Sequence, residues 1–417
     1  MDKIVVAGGK RLAGAVDISG AKNAALPMMA ATILASGEST LLNVPHLKDV
    51  STFSDVLRVL GARVKREGNS LIIDTSSIEH LEAPYELVRT MRASIYVLGP
   101  LLARFGQARV SLPGGCAWGP RPVNLHLKIL EEMGAHVEIQ HGYIMARAGK
   151  LQGALIDFDV SSVGATANAM MAASLASGNT LLRNAAREPE IEALGQMLSS
   201  MGASVSGAGS GTVEIQGAKT LRAVRERIIP DRIEAGTYMV ATAMTGGKVT
   251  LRRARADHLG AVIDKMAEAG VTIRQEAGNL VVEGPTSLVP VNVTTSPYPG
   301  FPTDMQAQFM ALLSLAQGTS VITETIFPDR FTHVPELRRL GVKVTLDANV
   351  AKITGVKRLS GAPVMASDLR ASAALVLAAL VAQGETEILR VYHIDRGYER
   401  IEEKLRGLGA EIQRVRV

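Results

Sequence analysis

Three sets of residues have types and spacing suited to chemistry. The first stands at the polar starts of apolar, Ala-rich stretches: Lys22 and Asn23, Arg89 and Arg92, Ser162 and Val163, Asp231, Arg232 and Glu234, Thr303 and Asp304, Asp368 and Arg370. If those stretches are helices, their first turns offer unpaired N–H groups and a partial positive charge, which attract anions. Asp304, Asp368, Ser162 and Asn23 are also good N-caps, and capping accounts for each taken singly. Lys22, Arg92 and Arg370 oppose the helix dipole, so their placement predicts a compensating anion. The second set is Lys48, Arg121, Arg187, Arg255, Arg330 and Arg396, which recur 11 to 15 residues before a repeated glycine described below. Arg187 and Arg255 read equally well as partners in surface ion pairs. The third is the loop LPGGCAWGPRP, residues 112–122, which holds the single cysteine, Cys116, and the single tryptophan, Trp118. A lone cysteine is commonly a small buried hydrophobe. A Gly- and Pro-rich loop offers little core to bury it, and the nearby Arg121 favours a reactive thiolate. A loop of that kind with one acid–base group reads as a lid.

No GxxxxGK[ST], HExxH or GxSxG motif occurs, and no His, Asp and Glu cluster has metal-ligand spacing. Phosphate or carboxylate would be gripped by Arg and Lys without a metal, which suits breaking a C–O bond more than metal-assisted phosphoryl transfer. Neither a metal nor a cofactor is expected.

Positioning these residues requires a repeated scaffold. LGARV, MGAHV, MGASV, AGVTI, LGVKV and LGAEI place glycines at Gly61, Gly134, Gly202, Gly270, Gly341 and Gly409, separated by 73, 68, 68, 71 and 68 residues. Six units of about seventy residues fill the chain, a period that signals a repeat architecture. Each unit reads as an apolar helix (24–36, 94–105, 165–177, 236–245, 306–317 and 372–383), then a stopping glycine (Gly37, Gly106, Gly178, Gly246, Gly318 or Gly384) and a short strand. A loop, an amphipathic helix ending at the repeated glycine and a hairpin follow. SGAGSG, residues 206–211, is one of those hairpin turns and not a phosphate loop. A helix apolar nearly all round is buried, so six short sheets must enclose the first helices. The expected class is α/β, but not a doubly wound sheet.

Unit six stops just after its first hairpin strand, whereas residues 5–16, VVAGGKRLAGAV, resemble the linker that follows unit five, ITGVKRLSGAPV. The N-terminal strand is therefore expected to pair into the last unit. Two domains of three units follow: 21–229, carrying the loop 112–122, and 1–20 with 230–417. If the buried helices of each domain point their N-termini toward the other, the cleft between them is electropositive.

Composition narrows the function. The chain has 417 residues, 47% hydrophobic and 20% charged, which excludes wholesale disorder. One cysteine excludes a disulfide framework and points to a reducing, cytoplasmic setting. No signal-peptide pattern or membrane-length apolar run is present, so no membrane partner is expected. The net charge is +5, but aromatic residues are only 4% and no basic tail occurs, which argues against nucleic acid. Of the 45 cations 31 are Arg, which favours an anionic small molecule.

The six repeats, Lys22–Asn23, the Cys loop, FPTDMQAQ (301–308) and HIDRGYERIEEKL (393–405) together resemble the enolpyruvyl transferases, over essentially the whole chain. The resemblance implies a two-domain inside-out α/β barrel with buried Ala-rich helices. It implies phosphoenolpyruvate and, because of the Cys loop, UDP-N-acetylglucosamine as substrates in peptidoglycan synthesis, and a monomer is the expected state. Transfer to shikimate 3-phosphate and non-catalytic sugar-nucleotide binding are the alternatives. By the same resemblance Cys116 is the proton donor and can form a covalent adduct with phosphoenolpyruvate, and Asp304 is the base for the sugar hydroxyl. Lys22, Arg121 and Arg396 clamp phosphoenolpyruvate. Asn23, Arg92, Arg121, Pro122, Val123, Asn124, Leu125, Ser162, Val163 and Ile326 match UDP-sugar contacts, and Arg330, Asp368 and Arg370 are cleft residues of the second domain. Val160 and Asn124 stand where some relatives carry Lys and Asp, which alters nucleotide contacts and not the proton chemistry. On this reading Asp304→Ala folds normally but is nearly inactive.

Overall fold

A computed structural model describes residues 2–89, 91–112 and 123–416. Cys116, Trp118, Arg121, Pro122 and the side chain of Arg92 lie outside the described residues.

The repeated glycines mark one recurring backbone event. All six adopt positive φ, between 88° and 116°, where an L side chain is strained. Each follows an outer helix: Lys48–Val59, Asn124–Glu132, Pro189–Met201, Gly260–Glu268, Val334–Arg339 and Ile401–Gly407. The inner helices are Lys22–Ala31, Leu98–Phe105, Val163–Ala173, Arg232–Thr245, Gln306–Leu313 and Leu369–Ala379. Their small, apolar residues let them pack on all sides: every residue from Ala165 to Ala173 and from Gln306 to Leu313 is buried. Hydroxyls inside them stay satisfied by donating one turn back, as Thr237 does to the Ile233 carbonyl at 2.7 Å and Thr242 to Tyr238 at 2.8 Å.

The inner helices differ from expectation at their ends. Gly106 and Gly246 do stop their helices in left-handed C-caps, at φ 74° and 59°. Gly37, Gly178, Gly318 and Gly384 lie several residues beyond the helix, at the turn into the strand. The Ala-rich run continues through a tightened turn, such as the 3-10 segment Thr32–Leu34, so composition does not mark where the helix ends.

Among the described residues, six four-stranded sheets share one plan: a short linker strand, the strand after the inner helix, then the two strands of the hairpin. In the first sheet Arg225–Arg227 lies parallel to Glu38–Leu42, which is antiparallel to Ser70–Asp74, itself antiparallel to Arg63–Glu67. In the sixth sheet Asp2–Ala7 takes the second hairpin place, antiparallel to both Glu385–Leu389 and Glu411–Arg416, with Ile4 opposite Ile388 and Arg414. Each linker strand joins the next sheet, and the third linker of each set returns to the first. Arg225–Arg227 closes sheets one to three in this way, and Ala13–Asp17, parallel to Lys248–Arg252, closes four to six.

The chain divides into two compact units, 20–229 and 1–19 with 230–417. Each has its own hydrophobic core, built where its three inner helices meet the inward faces of its sheets. Strands therefore enclose helices in both, an inside-out α/β arrangement. No helix among the described residues is long and apolar enough to cross a membrane.

Candidate active site

In the unit of residues 1–19 and 230–417, Asp304 is the centre of a polar cluster. It sits in the 3-10 turn Thr303–Met305 that leads into Gln306–Leu313. Its carboxylate caps neither element. Instead Arg330 Nη1 lies 2.8 Å from Oδ1, and Arg370 Nη2 donates to Oδ2 at 2.9 Å. Both arginines are buried, whereas 26% of the Asp304 side chain is exposed. Burial alone would push this carboxyl up, but the fields of Arg370 and Arg330 and their hydrogen bonds outweigh it. The carboxyl is held well below its usual range and is ionised at neutral pH.

A frame of buried groups fixes this pair of contacts. Gln308 Nε2 donates to the Asp304 carbonyl at 2.9 Å and to the Tyr398 hydroxyl at 3.1 Å. The Tyr398 hydroxyl lies 2.9 Å from Thr237 Oγ1, and the Arg370 guanidinium packs 5.4 Å from the Tyr398 ring centroid. On the other side, fully buried Glu324 accepts from Thr303 Oγ1 and Thr295 Oγ1, both at 2.8 Å, and from the Ile326 and Phe327 amides at 2.9 and 3.0 Å. Thr303 Oγ1 in turn accepts from Arg330 Nη1 at 2.9 Å. One carboxylate thus shapes the turn that bears Asp304 and the loop that bears Ile326. Arg370 Nη1 is buried without a hydrogen-bond partner among the described residues. Asp368 is the N-cap of Leu369–Ala379, accepting from the Arg370 and Ala371 amides at 2.8 and 3.1 Å. Arg396 ends the 3-10 segment Val391–Arg396 and is half-buried.

In the unit of residues 20–229, Lys22 is the first residue of its helix and is buried. Its Nζ lies 3.1 Å from Oδ2 of Asp49, itself buried in the helix Lys48–Val59. Asn23 does not cap: the cap position is Ala21, and Asn23 is half-buried in the first turn. Ser162 does cap, accepting from the Ala165 amide at 3.3 Å, beside half-buried Val163. Asn124 is exposed, and Val123 and Leu125 are half-buried at the start of Asn124–Glu132. One turn on, His126 is buried 2.8 Å from Asn168 Nδ2, and burial lowers its pKa to about 4. It lies close under Gly164, where a Cβ would meet His126 Cε1 at 3.3 Å.

Several expectations change. The anion that compensates Lys22 and Arg370 is in each case a carboxylate of the protein, Asp49 or Asp304. The surface ion pair expected of Arg255 forms, with Asp257. The one expected of Arg187 does not form among the described residues: its guanidinium packs instead over Gly211 in the hairpin turn. Asp304→Ala would leave two buried guanidinium groups without their carboxylate, so normal folding no longer follows. Asp49, Gln308, Glu324 and Tyr398 were not singled out by sequence. For Asp49 the available signal was Lys22, a cation in need of an anion, but the two lie 27 residues apart.

The chain is similar to known proteins over its whole length. Residues 6–405 match the family model described as EPSP synthase (3-phosphoshikimate 1-carboxyvinyltransferase). The UDP-N-acetylglucosamine 1-carboxyvinyltransferase of Geotalea uraniireducens is 57% identical over 415 residues, covering 100% of both chains. That of Chlorobium limicola is 55% identical over 417 residues, covering 99% of this chain and 98% of the relative. Among solved structures, the enolpyruvyl transferase NikO from Streptomyces tendae superimposes with a TM-score of 0.90 at 28% identity, over 99% of each chain. The EPSP synthase of Acinetobacter baumannii shares the fold at a TM-score of 0.77 and 18% identity, over 100% of each chain.

Proposed function

The chain belongs to the EPSP synthase-type family of enolpyruvyl transferases, and from that premise we propose its reaction. It moves the enolpyruvyl group of phosphoenolpyruvate onto the 3-hydroxyl of UDP-N-acetylglucosamine and releases phosphate, the first committed step of peptidoglycan synthesis. The observation that carries the choice of acceptor is the end-to-end identity with relatives named for that sugar nucleotide.

The reaction sets clear demands. The terminal carbon of phosphoenolpyruvate gains a proton, leaving an oxocarbenium-like centre at the neighbouring carbon. The sugar hydroxyl adds there while a base takes its proton. Phosphate then departs, and the new methyl group loses one proton to restore the double bond. The atoms balance with the two substrates alone, and no cofactor is assigned. The enzyme must supply an acid, a base and a clamp for phosphate and carboxylate.

We assign the acid to Cys116, whose sulfur can also add to the cationic carbon as an alternative adduct, and the base to Asp304. The ionised state of Asp304 supports this role, since a base must be unprotonated to act. Two arginines also weaken it as a base. An anionic substrate that shares Arg330 or Arg370 would relax their hold and raise its proton affinity. Lys22, Arg121 and Arg396 are assigned to the phosphoenolpyruvate clamp. The buried Nη1 of Arg370 is a donor that a phosphate or carboxylate oxygen would satisfy, which supports placing Arg370, Arg330 and Asp368 around substrate. Asn23, Arg92, Arg121 to Leu125, Ser162, Val163 and Ile326 are assigned to the UDP-sugar. A cytoplasmic setting fits a chain with one cysteine in 417 residues, and we assign a monomer, which sedimentation at working concentration checks.

Phosphate release from phosphoenolpyruvate tests the reading. Release is expected with UDP-N-acetylglucosamine and not with shikimate 3-phosphate. The reverse would assign the sister reaction, and saturable sugar-nucleotide binding without turnover would leave a binding protein.

A further inference from the structure

The three inner helices of the 20–229 unit run out, at their C-terminal ends, over an open surface groove of about 910 Å³. Among the described residues five basic side chains line it, Arg104, His136, Arg147, Lys150 and Lys219, and no carboxylate does. Arg104, Arg147, Lys150 and Lys219 form no ion pair among the described residues.

Arg104 departs from the repeat. Two residues before the post-helix glycine the six units carry Ala35, Arg104, Ala176, Met244, Ala316 and Ala382, so one unit of six has a charge where the others have a small or apolar side chain. The residue is half-buried. Its Nη1 donates to the carbonyls of Ile33, Ala35 and Thr75 at 2.8, 3.0 and 3.2 Å. Its other N–H groups have no protein partner among the described residues, and the guanidinium lies 4.7 Å from the Phe105 ring centroid. Burial lowers its pKa with no carboxylate to offset it.

Capping explains one nitrogen of Arg104, and it does not explain the rest of the cluster. A helix C-terminus carries roughly half a negative charge, so three of them contribute about one and a half. Arg104, Arg147, Lys150 and Lys219 bring four positive charges against these, and the surplus is positive. Leu34, Leu102, Phe105 and Leu175 supply an apolar wall beside the cations. The volume lies in the range of small-molecule sites, about 300–1,000 Å³.

We propose that this groove binds a small organic polyanion: two or more phosphate charges carried on an apolar or aromatic body. The half-buried Arg104 fork takes one phosphate, and the exposed Arg147, Lys150 and Lys219 neutralise the remainder at the rim. The body rests on Phe105 and the leucines.

The test uses the full chain without UDP-N-acetylglucosamine, itself an organic polyanion that would compete for this site, and the rim variant below separates binding here from nucleotide binding at the candidate active site. ADP and inorganic pyrophosphate are titrated calorimetrically. One ADP is expected to bind per chain, about tenfold or more tighter than pyrophosphate. The combined variant Arg147→Glu, Lys150→Glu and Lys219→Glu is expected to weaken ADP by about tenfold or more while kcat for phosphate release stays unchanged. Arg104→Met should abolish binding. Because Arg104 also caps carbonyls, its melting temperature is measured alongside, and the rim variant decides if that protein is unstable. Absence of ADP binding, or equal ADP binding by the rim variant, overturns the site. Pyrophosphate binding as tightly as ADP overturns the role of the apolar wall.

Discussion

Asp304 holds two buried arginines with one carboxylate, and that determines what its loss does. Asp304→Ala leaves two like charges facing each other in the interior, which costs about 3 kcal/mol. The variant is expected to lose nearly all turnover and to unfold at lower urea, while Asp304→Asn keeps the shape and still loses turnover. An unchanged kcat in either would reduce Asp304 to a structural anchor. Arg330 and Arg370 stood out in the sequence as a cation before a repeated glycine and a cation at a helix start. Their convergence on Asp304 was not legible, because contacts that distant in the chain leave no local pattern. Two histidines give a stability signature. Burial lowers His126 to about 4 and, with the charge of Arg330, His333 to about 3, both from 6.5. Between those values and 6.5 the unfolded chain binds more protons than the native one, so stability rises with pH across the window. It is fully present above 6.5 and lost as pH falls, by up to about 1.4 kcal/mol per pH unit for each histidine. Urea melts from neutral pH downward should show that slope, and His126→Gln should remove its share. A flat profile would mean that neither ring is held neutral by the fold.

At the scale of elements, the glycine rhythm made the plan readable because each repeated glycine occupies a backbone region that other residues avoid. Helix ends were less readable, since alanine serves helix and 3-10 turn alike. A second kind of glycine was not singled out at all. Gly355, just after a hairpin strand, packs so closely that an added Cβ would lie 1.6 Å from the Ala316 carbonyl oxygen, and one added at Gly217 would lie 2.0 Å from that of Ala176. These contacts seat the third and fifth sheets on the ends of their inner helices, and backbone cannot yield as a side chain can. Gly355→Ala is therefore expected to cost at least about 2 kcal/mol in chemical denaturation. A loss below about half that would show that sheet and helix end can part without penalty.

At the scale of the whole molecule, the first residues of the chain complete its last sheet. Asp2–Ala7 is an interior strand, paired on both edges, and its removal exposes Glu385–Leu389 and Glu411–Arg416 together. Deleting residues 2–7 should abolish cooperative unfolding of the 230–417 region and leave the core of 20–229 intact, as read by hydrogen exchange. Unaltered protection in the sixth sheet would contradict that role. The reaction itself is tested most directly by magnetic resonance of the product formed in deuterium oxide from phosphoenolpyruvate and UDP-N-acetylglucosamine. The account predicts an enolpyruvyl ether at the sugar 3-oxygen with deuterium on its terminal vinyl carbon, and no product from Cys116→Ser. An ether formed without deuterium, or phosphate released with no ether, would contradict it.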